Sequence, residues 1–97
     1  MIEDEKWMQV ALSEAKLAEI EGEVPVGAVL VRDGILISKA HNQPISKNDA
    51  TAHAEINLLR ATGKKIKNYR INDSTLYVTL EPCTMCFGAM INARIKR

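Results

Sequence analysis

The only two cysteines in the chain, Cys83 and Cys86, lie three residues apart directly behind Pro82. No disulfide can tie distant parts of the 97 residues together. In a reducing compartment this spacing points to metal or redox chemistry rather than to a structural bridge. The fold must therefore rest on one core. A chain of this length buries only about 60 to 70% of the surface its unfolded form exposes, so a bound metal or a partner subunit would help. Residues 1–97 leave room for one domain and not for two.

Several function classes are excluded early. Four aromatic residues, Trp7, Tyr69, Tyr77 and Phe87, are too few for a platform on which many bases stack. The longest apolar run, Val24 to Val31, contains Pro25 and Gly27 and is too short to span a bilayer. The opening residues Glu3-Asp4-Glu5-Lys6 are acidic where a secretory signal is basic and then apolar. A cytoplasmic protein without membrane contact is expected.

Periodicity orders the elements. Trp7, Met8, Ala11, Leu12, Ala15 and Ala18 recur at helical spacing, which predicts an amphipathic helix over 4–21, closed near Gly22. A β-branched run from Val24 to Val31, with Pro25 at its start, leads into Asp33-Gly34, a strong two-residue hairpin turn. A second strand follows from Ile35 to about Lys39, then a loop to about Asp49. Ala52 to Ala61 reads as a helix ended at Gly63, and 64–74 as a polar connection. Thr75 to Thr79 reads as a buried strand that can be left as an exposed edge. Pro82 suits the first position of a final helix running to about Ala93. The order α-β-β-α-β-α predicts a small mixed α/β sheet layered with helices.

The chemistry gathers at the starts of the last two helices. His53-Ala54-Glu55 opens one, and Pro82-Cys83-Thr84-Met85-Cys86 opens the other. One imidazole and two thiolates are ligands zinc prefers, and three of them leave a fourth tetrahedral position for water. Cys83 and Cys86, at i and i+3, share a helix face, and the positive end of the helix dipole favours their thiolate form. In mid-helix, His53 and Glu55 would point in nearly opposite directions. Both can approach one metal only at the helix entry, where Asp49 and Thr51 are candidate capping residues. Glu55 then lies close enough to exchange protons with the metal's water without being a ligand. A redox Cys-x-x-Cys is the competing reading, and it leaves His53 and Glu55 without a role.

Charge is unevenly distributed. Residues 1–24 carry seven acids and two bases, and residues 25–97 five acids and eleven bases. The bases cluster at Lys64-Lys65-Lys67-Arg70 and Arg94-Lys96-Arg97. Two readings stand side by side: solvated faces, or a stripe that contacts phosphates.

The order His-x-Glu, a strand, then Pro-Cys-x-x-Cys is the known signature of zinc nucleobase deaminases. With Val24-Pro25-Val26-Gly27-Ala28-Val29, Ala40-His41-Asn42, Asp49-Ala50-Thr51-Ala52-His53-Ala54-Glu55 and Leu76-Tyr77-Val78-Thr79-Leu80-Glu81-Pro82-Cys83, it makes the chain resemble the cytidine-deaminase-like superfamily. Within that superfamily it is similar to the bacterial tRNA-specific adenosine deaminases. The resemblance implies a three-layer α/β/α fold with a mixed central sheet, and members extend further at the C-terminal side. It implies one Zn2+ per chain held by His53, Cys83 and Cys86, with water as fourth ligand. Glu55 matches the proton shuttle and Asn42 the polar contact to the target base. Asn42 can equally be a turn residue before Pro44. Ala50 stands where the family usually has proline, and Phe87 where a small residue is common.

The implied reaction is hydrolytic deamination of adenosine to inosine at the tRNA wobble position, by a homodimer acting on the anticodon stem-loop. Two alternatives stay open. One is a deaminase of a free base, nucleoside or nucleotide, and the other is a non-catalytic zinc-binding fragment.

Overall fold

Strand β1, Gly27–Arg32, receives most of the chain's longest apolar run and is buried along five of its six residues. A run without polar alternation suits a strand covered on both faces. The computed structural model, which describes residues 2–97, places helices on each side. Ala28 and Leu30 face a core made with Ala54, Leu58, Ile71 and Leu76. Val29 and Val31 face Trp7 and Ala11 of the first helix. The elements are α1 (Ile2–Ile20), β1, β2 (Ile35–His41), α2 (Pro44–Lys47), α3 (Ala54–Ile66), β3 (Ser74–Val78) and α4 (Thr84–Asn92). The expected three layers are thus α1, the sheet, and α3 with α4.

The sheet order is β2-β1-β3. Asp33 and Gly34, with φ of 54° and 73°, make the tight turn between β1 and β2, where Asp-Gly is favoured because both central residues need positive φ. β1 pairs antiparallel with β2 and with β3. The expected mixed sheet needs a correction on this point, because all three strands pair antiparallel. The physical reason is that β2 and β3 do run parallel to each other, as the intervening α3 crossover requires, but β1 lies between them. Parallel pairing begins only at the last residue. Arg97 N donates to Ser74 O (3.2 Å) and Leu76 N donates to Arg97 O (2.8 Å), the slanted pattern of a parallel pair.

Several boundaries differ from the sequence expectation. β1 begins at Gly27, leaving Val24 exposed and Pro25 outside the strand, where its missing N–H costs no ladder bond. α3 begins at Ala54 and runs through Gly63 to Ile66, with Lys67 in the left-handed conformation at its end. An interior glycine costs about 1 kcal/mol, and Ile66 packing against the core offsets it. The expected loop at 40–49 contains the short α2. Its first N–H groups are met by buried Glu23, which accepts from Ile45 N (3.1 Å), Ser46 N (2.7 Å) and Ser46 Oγ (2.6 Å). Pro82 lies outside α4, whose first residue is Thr84.

Helix α1 approaches the start of β1 at a distance only glycine permits. A Cβ on Gly27 would lie 2.0 Å from Ala11 O and 2.5 Å from Ala15 N. Those are backbone atoms of one helix, so the whole helix would have to move. Gly27→Ala is expected to destabilise the fold by about 3 kcal/mol, read from urea unfolding. A wild-type midpoint would refute the close approach.

The other tie between α1 and the sheet is polar. His41 Nδ1 lies 3.0 Å from Glu14 Oε1 and Nε2 lies 3.1 Å from Glu21 Oε1. Burial alone would lower the His41 pKa, but the two carboxylates outweigh it and hold it above its ordinary value. A raised folded-state pKa means stability that is complete below the unfolded value of about 6.5 and lost as pH rises through the folded value. The wild-type chain should therefore lose unfolding free energy on going from slightly acid to alkaline pH, and His41→Gln should flatten that slope. Equal slopes in the two proteins would show that the clamp contributes nothing.

Candidate metal centre

Both α3 and α4 start at one end of the sheet, and hydrogen bonds from the start of β1 place them there. Val26 O accepts from Asn42 N (3.0 Å), while Gly27 O accepts from Thr79 N (3.0 Å). Gly27 N donates to Thr79 Oγ1 (3.1 Å). The segments leading to the two helices are thus fixed to adjacent residues. Asn42 Oδ1 then accepts from Ala54 N (3.0 Å), at the first position of α3.

His53 and Cys83 occupy equivalent positions. Each is the residue before its helix, with extended backbone (φ −69° and −75°), and neither side chain caps its own helix. Their reactive atoms are consequently free to face each other. The expected capping by Asp49 and Thr51 is not what forms. Asp49 Oδ1 accepts from Thr51 N (2.9 Å) and Thr51 Oγ1 (2.7 Å), which closes its own turn. Asn42 supplies an acceptor at the helix entry from another segment.

His53 Nδ1 lies 3.6 Å from Cys83 Sγ and 3.5 Å from Cys86 Sγ. The three ligand atoms all lie within 4.8 Å of one another. A tetrahedral zinc with bonds of roughly 2.3 Å to sulfur and 2.0 Å to nitrogen sets these atoms about 3.6 Å apart. The donor set fits the ion in both chemistry and spacing. Cys86 is buried, His53 half-buried and Cys83 exposed, so the triad is closed on its core side and open towards solvent.

The two sulfurs differ electrostatically. Backbone N–H of Cys86, then the Cys86 thiol, hold the Cys83 pKa below the usual thiol range. Burial foremost, then the hydrogen bond with Cys83 and the Glu55 charge, push Cys86 up to about 12. Metal binding must expel that proton, which makes it pH-dependent. Glu55, on the first turn of α3, is 4% exposed. It acts on both cysteines without belonging to the ligand triad.

All four residues singled out around the metal therefore meet, and Asn42 adjoins them through Ala54. Sequence reasoning missed Glu23, Thr79 and Asn57. Asn57 Nδ2 donates to His41 O (2.9 Å) and Ala52 O (3.2 Å), which fastens the segment between β2 and α3. Its helical spacing marks Asn57 only as polar on an apolar face. For Glu23 and Thr79 nothing in the local sequence signals the partner.

Comparison with known proteins follows the same line. Residues 1–97 match the family model of the cytidine and deoxycytidylate deaminase zinc-binding region. A tRNA-specific adenosine deaminase of Buchnera aphidicola is 57% identical over 94 residues, which are 97% of this chain and 62% of that protein. One from Haemophilus influenzae is 58% identical over 95 residues, 97% of this chain and 55% of that protein. The chain thus spans little more than half the length of these curated relatives. Among solved structures, one from work on A-to-I editing by tRNA:A34 deaminases superposes with a TM-score of 0.91 at 48% identity, covering 93% of this chain and 69% of that one. Guanine deaminase from Bacillus subtilis gives 0.91 at 39% identity, covering 95% and 59%.

Removing a ligand should remove the metal. Zinc carried through gel filtration and measured by elemental analysis should fall from near one per chain to near background in His53→Ala and Cys83→Ala, and stay near one in Glu55→Ala. Retained zinc in both ligand variants would disprove the triad.

Proposed function

The chain belongs to the cytidine and deoxycytidylate deaminase zinc-binding family, and on that premise we propose that it forms the zinc-binding part of an enzyme that hydrolyses adenosine to inosine at the tRNA wobble position. The observation that carries the reading is a buried carboxylate, Glu55, beside a three-ligand site that is open on one side. A closed structural site would have four ligands.

When bound, zinc lowers the pKa of a coordinated water towards about 7 and so supplies a nucleophile at neutral pH. His53, Cys83 and Cys86 would hold the ion. Glu55 takes the proton released as the nucleophile forms. It returns a proton to the purine ring nitrogen and to the departing amine, so adenosine and water become inosine and ammonia. A carboxylate can perform both transfers because it accepts a proton when ionised and donates one once protonated. Asn42 has its carbonyl occupied by Ala54 N–H, and its amide N–H groups are left to donate to the purine edge.

Three findings support tRNA as the substrate class: the names of the relatives, their 57 and 58% identity, and the basic balance of residues 25–97. An anticodon loop presents an unpaired base, which can be splayed into a pocket at lower cost than one in a duplex. We take residues 1–97 as one deaminase domain, acting in the cytoplasm. No described helix is long and apolar enough to cross a membrane. Association as a homodimer is supported by Phe87, a large side chain left exposed on α4. A second reading, deamination of free guanine, is favoured by the guanine deaminase superposition.

Inosine formation in an anticodon stem-loop RNA, followed by mass spectrometry of its nucleosides, tests the proposal. Zinc-loaded protein is expected to convert adenosine and Glu55→Ala to lose at least about three orders of magnitude in rate. Undiminished turnover in Glu55→Ala would overturn the mechanism. Turnover of guanine with none of the RNA would transfer the assignment to the second reading.

A further inference from the structure

At the end of α3 remote from the metal ligands, α3 and α4 border an open groove of about 830 Å3 whose lining includes Arg60, Lys64, Lys67 and Tyr69 and no acidic residue. His53 and Lys64 are eleven positions apart, or about 16 Å along the helix axis. Arg70 and Arg94 border the adjoining depression beside Tyr69. The basic balance seen along the sequence is thus concentrated in space. Residues 56–72 and 82–97, which flank the groove, contain no acid at all.

Simpler roles for these bases do not account for them. Lys65 donates to Ile37 O (2.7 Å) and Arg60 is paired with Asp49 (3.2 Å). Lys64, Lys67, Arg70 and Arg94 form no ion pair among the described residues. Complementing the C-terminal dipoles of α3 and α4 needs only about one positive charge in all, since each helix end carries roughly half a negative charge. Four uncommitted cations exceed that. Tyr69 adds a second observation. The residue is 74% exposed, with the Arg70 guanidinium 5.3 Å from the centre of its ring. A single aromatic face beside cations suits a sugar or a base edge next to phosphates.

We propose that this groove is a second contact surface, separate from the metal site, which binds the phosphate backbone of the RNA stem that carries the target base. Its role rests on the RNA reading given under Proposed function. Lys64, Lys67, Arg70 and Arg94 contact phosphates and position the stem without reading sequence. One RNA held at both ends of α3 would enter the metal site in a fixed direction.

Fluorescence anisotropy of a labelled RNA stem-loop, titrated with zinc-loaded Glu55→Ala protein at several salt concentrations, separates binding from turnover. Adding Lys64→Gln, Lys67→Gln and Arg94→Gln is expected to weaken binding by at least about tenfold. The slope of log affinity against log salt should shrink by about 2 to 3, as expected when that many phosphate contacts are lost. Zinc content should not change. Wild-type affinity and slope in the triple variant would overturn the proposal. Should that variant not fold, acetylation footprinting of the parent chain decides. Protection of Lys64 and Lys67 by RNA supports the groove, and equal labelling with and without RNA refutes it. Competition by polyglutamate as strong as that by RNA, per charge, would replace nucleic acid with an acidic protein partner and so overturn the assignment. RNA bound in the groove without inosine formation would defeat only the proposed reaction. Inosine formation unaffected by the triple substitution would defeat only the groove.

Discussion

The backbone of Val26 and Gly27 is the point from which the rest of the molecule is placed. Val26 O takes the Asn42 N–H and Gly27 exchanges two hydrogen bonds with Thr79, so the segments leaving β2 and β3 are pinned to neighbouring residues. Those segments lead to the two helix starts that bear His53 and Cys83. On the other side of the same residue, α1 fills the space a Cβ would need. One glycine thereby sets the height of α1 above the sheet and helps fix the separation of two loops. Side chains from the segments that follow the strands at the two edges of β1, His53 on one and Cys83 with Cys86 on the other, can then converge to 3.5–3.6 Å. A shift of even 1 Å at Gly27 would be transmitted to both loops, because protein interiors are packed too densely to absorb it locally.

What could be read from the sequence was what depends on local chemistry. The Asp33-Gly34 turn, the helix α1 and the strand β1 each carry their own physical cause and each forms. Leu12 of the expected stripe is nevertheless exposed, Glu14 is buried in its place, and the strand starts at Gly27 rather than Val24. That His53, Cys83 and Cys86 come together was legible for a related reason. Imidazole, thiolate and carboxylate are chemically distinctive, and their order along the chain restricts what they can do together. Convergence of His53 on Cys83 and Cys86 needed no knowledge of the path between them.

The contacts that were not legible are long-range and chemically ordinary. Glu23 meets Ile45 and Ser46, some twenty residues on, and Asn42 rather than Asp49 serves the α3 entry. Any acid or amide could have done so, and only the fold chooses which. Gly63 reads as a stop because glycine disfavours helix by about 1 kcal/mol. Ile66, one turn later, buries apolar surface against the core and carries the helix past it. The antiparallel strand pairing has the same character. It follows from which edge of β1 the α3 crossover returns to, and no residue in α3 states that.

Electrostatics ties the small core back to the metal. Two sulfurs and a nearly buried carboxylate share one site, and the protein offers them two helix N-termini worth roughly half a positive charge each. That suffices for one thiolate, in keeping with Cys83 below and Cys86 well above the ordinary thiol range. A divalent cation held there would supply the missing charge and be the largest charge in the site. It would also join the starts of α3 and α4. Binding that requires the folded geometry adds its free energy to folding. A chain without disulfides, with two modest apolar clusters on the two faces of its sheet, would thus gain stability from the same ion that its proposed chemistry needs, and Glu55, outside the ligand triad, is left for proton transfer.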